Sequence, residues 1–262
     1  MIYSHLAPLI LALAAGTNAA GLTLRDLNTT EWAPDQPIPY GHLIVWNDTQ
    51  AHAVSESEYD TMLMSNGILL KAPQVDEEYL AFNATEVDES KIDERANCAT
   101  TTAYAVDSDK TQHFVDWDMQ MSWITCSEQN ELTTAVSKGF SIANGVTVSG
   151  KGDITAIKDK LGFSFGVDYT RTWTTTSNME TRGTVPKSNC GVVIWKPLTT
   201  RRYGRTLQGC PGSYTQVGTW MADDHGESSY SGISWLSGAV GFCIKPGSNP
   251  PLSRCNGKGN FV

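Results

Sequence analysis

Residues 137–149 read SKGFSIANGVTVS, and residues 162–174 read GFSFGVDYTRTWT. In the first run Phe140, Ile142, Val146 and Val148 fall on one side of a period of two, with Ser141, Ala143, Gly145, Thr147 and Ser149 on the other. In the second, Phe163, Phe165, Val167, Tyr169 and Trp173 alternate with Ser164, Gly166, Asp168, Thr170 and Thr172. Successive side chains of an extended backbone point to opposite faces, so both runs predict strands with one apolar and one small polar face. Residues 153–162 between them, DITAIKDKLG, predict a short helix or a loop. Further strands read at 190–195, 203–208, 213–220 and 240–244, with Gly and Pro between them. Helices do not alternate with these strands, which argues against a parallel α/β fold. In a sandwich the apolar face packs inward and the polar face meets water. In a membrane barrel the apolar face meets lipid and the polar face lines the lumen.

The chain opens MIYSHLAPLILALAAGTNAAG. Its apolar stretch at 6–15 suits the h-region of a signal peptide and is shorter than the roughly 20 residues that span a bilayer. Small residues follow at Thr17 and Ala19, or Asn18 and Ala20, as a cleavage site requires. The α-amino group and His5 supply the positive charge that Lys or Arg usually gives. The expected organisation is a signal peptide at 1–20, an acidic segment at 21–97 and a disulfide-bonded β domain at 98–262, in a secreted protein. Charge marks the second boundary. Residues 20–97 hold fifteen acidic and four basic side chains, so this third of the chain accounts for the net charge of −9. The same third carries the glycosylation sequons at Asn28, Asn47 and Asn83 and no cysteine. Within it, 38–46 reads as a strand. The run 55–64 starts with a Ser-x-x-Glu capping box and reads as a short helix. The charged run 86–94 reads as a solvated helix or a linker. The segment is either a removable cover or, as we favour, a glycosylated extension packed beside the main domain, because no dibasic processing site ends it.

Cys98, Cys126, Cys190, Cys210, Cys243 and Cys255 are even in number, which in a secreted chain predicts up to three disulfides. Cys190 and Cys210 flank two strand-like runs and are expected to pair locally. With no C-x-x-C spacing, a zinc site is not expected, nor is any other cofactor. Nucleic acid is excluded as a partner, since Arg201, Arg202 and Arg205 form the one basic cluster. Those arginines are candidates for gripping sulfate, phosphate or acidic headgroups, or simply offset the acidic third. The chain carries no H-E-x-x-H, P-loop or dinucleotide glycine fingerprint. His113 with Asp116 and Asp118 is the candidate acid/base set, the two carboxylates sharing a face if the segment is a strand. Asp223, Asp224, His225 and Glu227 are candidate calcium ligands in a loop, against the plainer reading of a solvated turn. Trp173, Trp195 and Trp220 are candidate stacking platforms for a glycan.

The run 149–209, with TRTWTTT at 170–176 and TVPKSNCGVVIWKPL at 184–198, resembles the aerolysin-type toxins, including their ETX/MTX2 branch. NCATTTAYAV at 97–106, VDWDMQMSW at 115–123, DYTRTWTTT at 168–176 and LTTRRYGR at 198–205 resemble small secreted proteins of filamentous fungi. The first resemblance implies an elongated β architecture, receptor binding and insertion of an oligomeric β-barrel. It also implies that Phe140, Ile142, Val146 and Val148 with Phe163, Phe165, Val167 and Tyr169 form the inserting hairpin. Asp168 and Arg171 depart from that hairpin's polarity. The expected fold is therefore mainly β, in antiparallel sheets of elongated aerolysin-like or sandwich form, with the acidic mixed α/β segment at the N-terminus. The expected function is that of a secreted, non-enzymatic effector or toxin-like protein. Its expected partner is a cell-surface protein, a glycan or a membrane, with a homo-oligomer as the assembly. The alternatives are an extracellular binding module and a secretory-pathway enzyme of secondary metabolism.

Overall fold

The structure, a computed structural model, describes residues 27–34, 36–46, 50–82, 98–176, 181–230 and 233–262. The leader at 1–20, the sequons at Asn47 and Asn83 and the charged run at 86–94 lie outside the described residues, whereas Asn28 is exposed. The N-terminal part contains β1 (Thr30–Trp32), β2 (His42–Trp46), β3 (Ala51–Ser55), α1 (Glu56–Ser65) and α2 (Glu77–Leu80). Then come β4 (Thr101–Val115), β5 (Met119–Gln120), β6 (Thr125–Ser127), β7 (Leu132–Ala135), β8 (Ser141–Ala143) and β9 (Gly145–Gly150). Helix α3 (Ile154–Phe165) precedes β10 (Thr172–Thr174), β11 (Arg182–Val185) and β12 (Asn189–Cys210). The chain ends with β13 (Ser213–His225), β14 (Glu227–Tyr230), β15 (Ile233–Leu236) and β16 (Gly238–Pro246). The fold is mainly β, and its strands pair antiparallel.

Strand β12 runs for 22 residues, roughly 70 Å at about 3.3 Å per residue. Its first half, through Pro197, is flanked by β16 on one edge and by β5 and β6 on the other. Its second half, from Leu198, lies between β4 and β13. Proline cannot donate to a ladder, and Pro197 falls where the neighbours change: its register partner Gly238 is the first residue of β16. Its carbonyl still accepts from the Asp116 N–H at 2.9 Å. One ten-stranded sheet results, ordered β1-β3-β2-β16-β12-β13-β9 with β4, β5 and β6 also on β12. The acidic N-terminal strands thus join the sheet that the cysteine-bearing part builds. The capping box at the start of α1 forms as expected, with Ser55 Oγ accepting from the Glu58 N–H and donating to its carboxylate.

Two expectations are corrected. Cys190 and Cys210 do not pair, because they stand at opposite ends of β12, about 65 Å apart at strand rise, far beyond the reach of a disulfide. The bridges are Cys98–Cys210, Cys126–Cys190 and Cys243–Cys255. They tie the start of β4 to the β12–β13 turn, β6 to the start of β12, and β16 to the C-terminal loop. Second, Phe163 and Phe165 belong to α3, not to a strand. Asp153 caps the helix by accepting from the Thr155 and Ala156 N–H groups, and Gly166 ends it in the left-handed region at φ 70°. Ile157 and Leu161, four apart, bury one stripe of the helix against Trp220, Ala222 and Tyr169. Residues 163 and 165 then point to different sides: Phe163 is 92% exposed, while Phe165 lies over Arg202.

The first alternating run is extended but broken. Phe140 and Ile142, before Asn144, pack on the cluster of Trp173, Trp195 and Trp235, and Val146 and Val148, after it, pack beside Trp220. The proposed inserting hairpin is therefore, in this structure, one split strand and a helix. Val167 and Tyr169 occupy the connection between α3 and β10, with Tyr169 buried and Val167 partly so.

Trp220 lies across Gly204 of β12, its register partner. A Cβ at Gly204 would stand 2.0 Å from Trp220 Cζ2 and 2.3 Å from the Ala105 carbonyl oxygen. Gly204→Ala is expected to lower unfolding free energy by about 1–3 kcal/mol or more, the cost of overpacking a well-filled core. Urea melts check this, and an unchanged midpoint contradicts the close approach of Trp220.

Candidate functional site

The chemistry gathers where the β12–β13 ladder meets the connection from α3 to β10. Neighbouring residues of a strand face opposite ways, so Arg201 and Arg202 serve different sides of the sheet. Arg201 makes a two-pronged ion pair with Asp223 directly across the ladder, both contacts at 2.7 Å. It also donates to the Pro73 carbonyl at 3.1 Å and lies over Phe114. On that side the N-terminal segment covers the sheet: Tyr203 Oη accepts from the Asp76 N–H, and Tyr79 donates to Asp107. Arg205 pairs with the same Asp107 at 2.7 Å. Arg202, on the other side, forms a buried ion pair with Asp224, whose Oδ1 also accepts from the Tyr169 hydroxyl at 2.9 Å. Each arginine of the expected anion-binding cluster therefore already has a carboxylate partner. Burial raises the Asp224 carboxyl above the ordinary range, and Arg202 opposes that shift.

The Arg202 side opens into a cleft of about 820 Å³, within the range of small-ligand sites. Arg202, Asp224, His225, Asn144, Trp173 and Phe165 line it, with His113, Ser164 and Glu227 also on its walls. Arg171 and Glu227 pair at 2.9 Å, both partly exposed. Asn144 holds the walls together. Its side-chain N–H donates to the Asp168 carbonyl at 2.9 Å, and its side-chain oxygen accepts from the backbone N–H of His225 at 2.8 Å. His225 is buried, with Nδ1 3.0 Å from the same Asn144 oxygen and Nε2 without a hydrogen-bond partner. Burial pushes its pKa down to about 4, so the imidazole is neutral at physiological pH.

The candidate residues are brought together differently from the sequence expectation. The carboxylates of Asp223, Asp224 and Glu227 do not converge on one point. Asp223 and Asp224 lie in a strand, not a loop, and face opposite sides, while Glu227 reaches Arg171. His113, Asp116 and Asp118 do not form a set. His113 contacts Thr200 Oγ1 at 3.1 Å on the cleft wall, and burial lowers its pKa. Asp116 and Asp118 lie beyond the end of β4, outside any strand, and Asp118 is buried beneath the C-terminal loop, accepting from the Asn256 N–H. Of the three tryptophans, Trp195 and Trp220 are interior, and Trp173 is buried but lines the cleft. None is an exposed platform.

Two features escape a reading of periodicity. Asn144 is the one polar residue on the apolar side of the 140–148 alternation, and that break was its signal. Residues 162–166, GFSFG, match the Gly-x-Ser-x-Gly spacing of a hydrolase nucleophile elbow. The elbow needs a strand running into a tight turn and then a helix, whereas here Ser164 sits in the last turn of a helix that Gly166 terminates.

No family model and no curated protein matches the chain. A solved structure of a candidate pore-forming toxin from Bacteroides vulgatus is similar over 57% of this chain and 54% of that one, at 15% identity and a TM-score of 0.18. The match spans about half of either chain, and a score of that size does not establish a shared fold.

Asp118 provides a pH test of the packing. Burial raises its pKa to about 6, and its Oδ1 has no partner. An unfolded aspartate loses its proton near 3.9, so the ionised carboxylate opposes folding above pH about 6, and that penalty fades as the pH falls toward 4. Asp118→Asn is expected to raise stability by about 1–3 kcal/mol at pH 7.5 and to change it little at pH 4. Urea melts of both proteins at the two pH values check this, and a variant less stable at pH 7.5 contradicts it.

Proposed function

We propose that the chain is an extracellular, non-enzymatic protein of effector or toxin-like kind that recognises another cell through the cleft beside α3. Three disulfides support an oxidising, extracellular setting. Among the described residues, no helix is long and apolar enough to cross a membrane. The observation that carries the reading is the state of the cleft's polar groups. Both arginines on its walls are held by carboxylates, Asp224 is spent on Arg202 and Tyr169, and His225 has no acid to polarise it. Groups so engaged recognise a ligand by shape and hydrogen bonding; none is set up to move a proton. The partner is a cell-surface glycan or protein. Phe163, exposed on the outer side of α3, supports a second contact with a membrane or with another copy of the chain next to the cleft.

Retention of fluorescently labelled protein on intact plant, fungal and bacterial cells tests the proposal. Ser164→Trp, which plugs the cleft from an exposed helical position, is expected to cut retention at least tenfold without lowering Tm. Phe163→Ser is expected to reduce it a few-fold. Retention unchanged by Ser164→Trp places recognition outside the cleft.

A further inference from the structure

Away from the cleft, the C-terminal loop sets a buried acid beside a disulfide. Asp118 is 1% exposed. Its carboxylate accepts from the Asn256 N–H at 2.6 Å and from the Cys255 N–H, while Oδ1 has no hydrogen-bond partner. A carboxylate oxygen of Asp118, Cys243 Sγ and Cys255 Sγ all lie within 4.8 Å of one another. Among the described residues, no other group of three His, Cys, Asp or Glu side chains converges in this way. Cys243 is buried in β16 beside Leu252 and Phe261, whereas Cys255 is exposed. Spacing along the chain hides the group, because Cys243 and Cys255 are 12 residues apart and Asp118 is remote from both.

With the bridge closed, both sulfurs are neutral and poor ligands. A dithiol reductant opens it: the reductant leaves as its own cyclic disulfide, and its two protons and two electrons end on Cys243 and Cys255 as thiols. The loop does not depend on the bridge for its place. Arg254 Nε donates to the Asp118 carbonyl at 3.0 Å, and the Asn256 side chain donates to the Asp116 carbonyl at 2.9 Å. Leu252 and Phe261 are buried, and the Phe261 N–H donates to the Leu252 carbonyl at 2.8 Å. The three ligand groups therefore stay together after reduction. Tetrahedral metal–sulfur bonds of about 2.3 Å set two sulfurs about 3.8 Å apart, and Cα atoms 5.8 Å apart allow that by side-chain rotation. Two thiolates and a carboxylate sum to a charge of about −3, which a divalent cation cuts to about −1. Arg254 and Lys196, the cations nearest Asp118, face that remainder. Thiolates select zinc-like metals over calcium or magnesium. We infer that reduction of Cys243–Cys255 turns this corner into a binding site for one divalent metal of the zinc class, held by Cys243 Sγ, Cys255 Sγ and the Asp118 carboxylate, with water as the fourth ligand. The two thiol protons leave as the metal binds.

The test is a Co²⁺ titration of the whole protein at pH 7.5, before and after treatment with dithiothreitol and its removal without oxygen. Alkylation and peptide mass spectrometry show which bridges have opened. The oxidised protein is expected to bind no Co²⁺. The reduced protein is expected to bind one Co²⁺ per chain, with the visible bands of a tetrahedral ion and a thiolate-to-metal absorption, and to release it to Zn²⁺. Asp118→Asn, the variant expected to be more stable, is expected to bind Co²⁺ at least tenfold more weakly after the same treatment. The double variant Cys243→Ser, Cys255→Ser, which keeps the other four cysteines, is expected to show no thiolate-to-metal absorption; should it fail to fold, Asp118→Asn decides. A bridge at Cys243–Cys255 that stays closed until the protein unfolds overturns the inference. So does a folded, reduced protein that takes up no Co²⁺. Co²⁺ bound equally well by Asp118→Asn, or by the double variant, also overturns it, because the metal then sits on other groups. None of these outcomes bears on the cleft, which Ser164→Trp tests separately.

Discussion

The hydrogen-bonding of β12 to five other strands is the constraint from which the remaining structure follows. Because β12 stays extended through Pro197, one register governs both halves of the sheet. That register puts Arg201, Tyr203 and Arg205 on the side covered by the N-terminal segment, and Arg202 and Gly204 on the side covered by α3. Facing residues on β13 follow the same alternation, which is why Asp223 and Asp224, adjacent in sequence, neutralise different arginines. The N-terminal third and β12 therefore meet across one face, through the Pro73 carbonyl on Arg201 and the Asp76 N–H on Tyr203, while the carboxylates that pair with Arg201 and Arg205 come from β13 and β4. Asp107 receives both Tyr79 and Arg205, and Lys110 of β4 reaches Asp76.

The opposite face, which opens into the cleft, buries an ion pair. A buried ion pair is weak evidence for stability, because removing two charges from water roughly cancels their attraction; losing one partner is what destabilises strongly. Here Tyr169 takes up a lone pair of the Asp224 carboxylate beside Arg202. The gain is a wall of fixed polarity. Asn144 extends that order by fixing the orientation of both the 168–171 turn and His225.

Much of the fold class was legible in the sequence. The runs at 190–195, 203–208, 213–220 and 240–244 all lie within β12, β13 or β16. The first two are one strand, which periodicity hid because Pro197 looks like a break when its partners are unknown. The alternation at 162–174 misled for a different reason. Ile157 and Leu161 supply a helical stripe whose burial under Trp220 outweighs a period-two pattern that starts at an exposed Phe163. Of the site, His113, Arg202, Asp224, His225 and Glu227 were visible as candidates, but as members of separate clusters. Only the strand register, a long-range property, brings them to one cleft and sends Asp116, Asp118 and Asp223 elsewhere.

The continuity of β12 is the central claim, and the disulfide pairing reports on it directly. Non-reducing proteolysis of the disulfide-bonded protein, with mass spectrometry of the linked peptides, is predicted to give Cys98–Cys210, Cys126–Cys190 and Cys243–Cys255. A peptide joining Cys190 to Cys210 requires the strand to fold back on itself and contradicts the account.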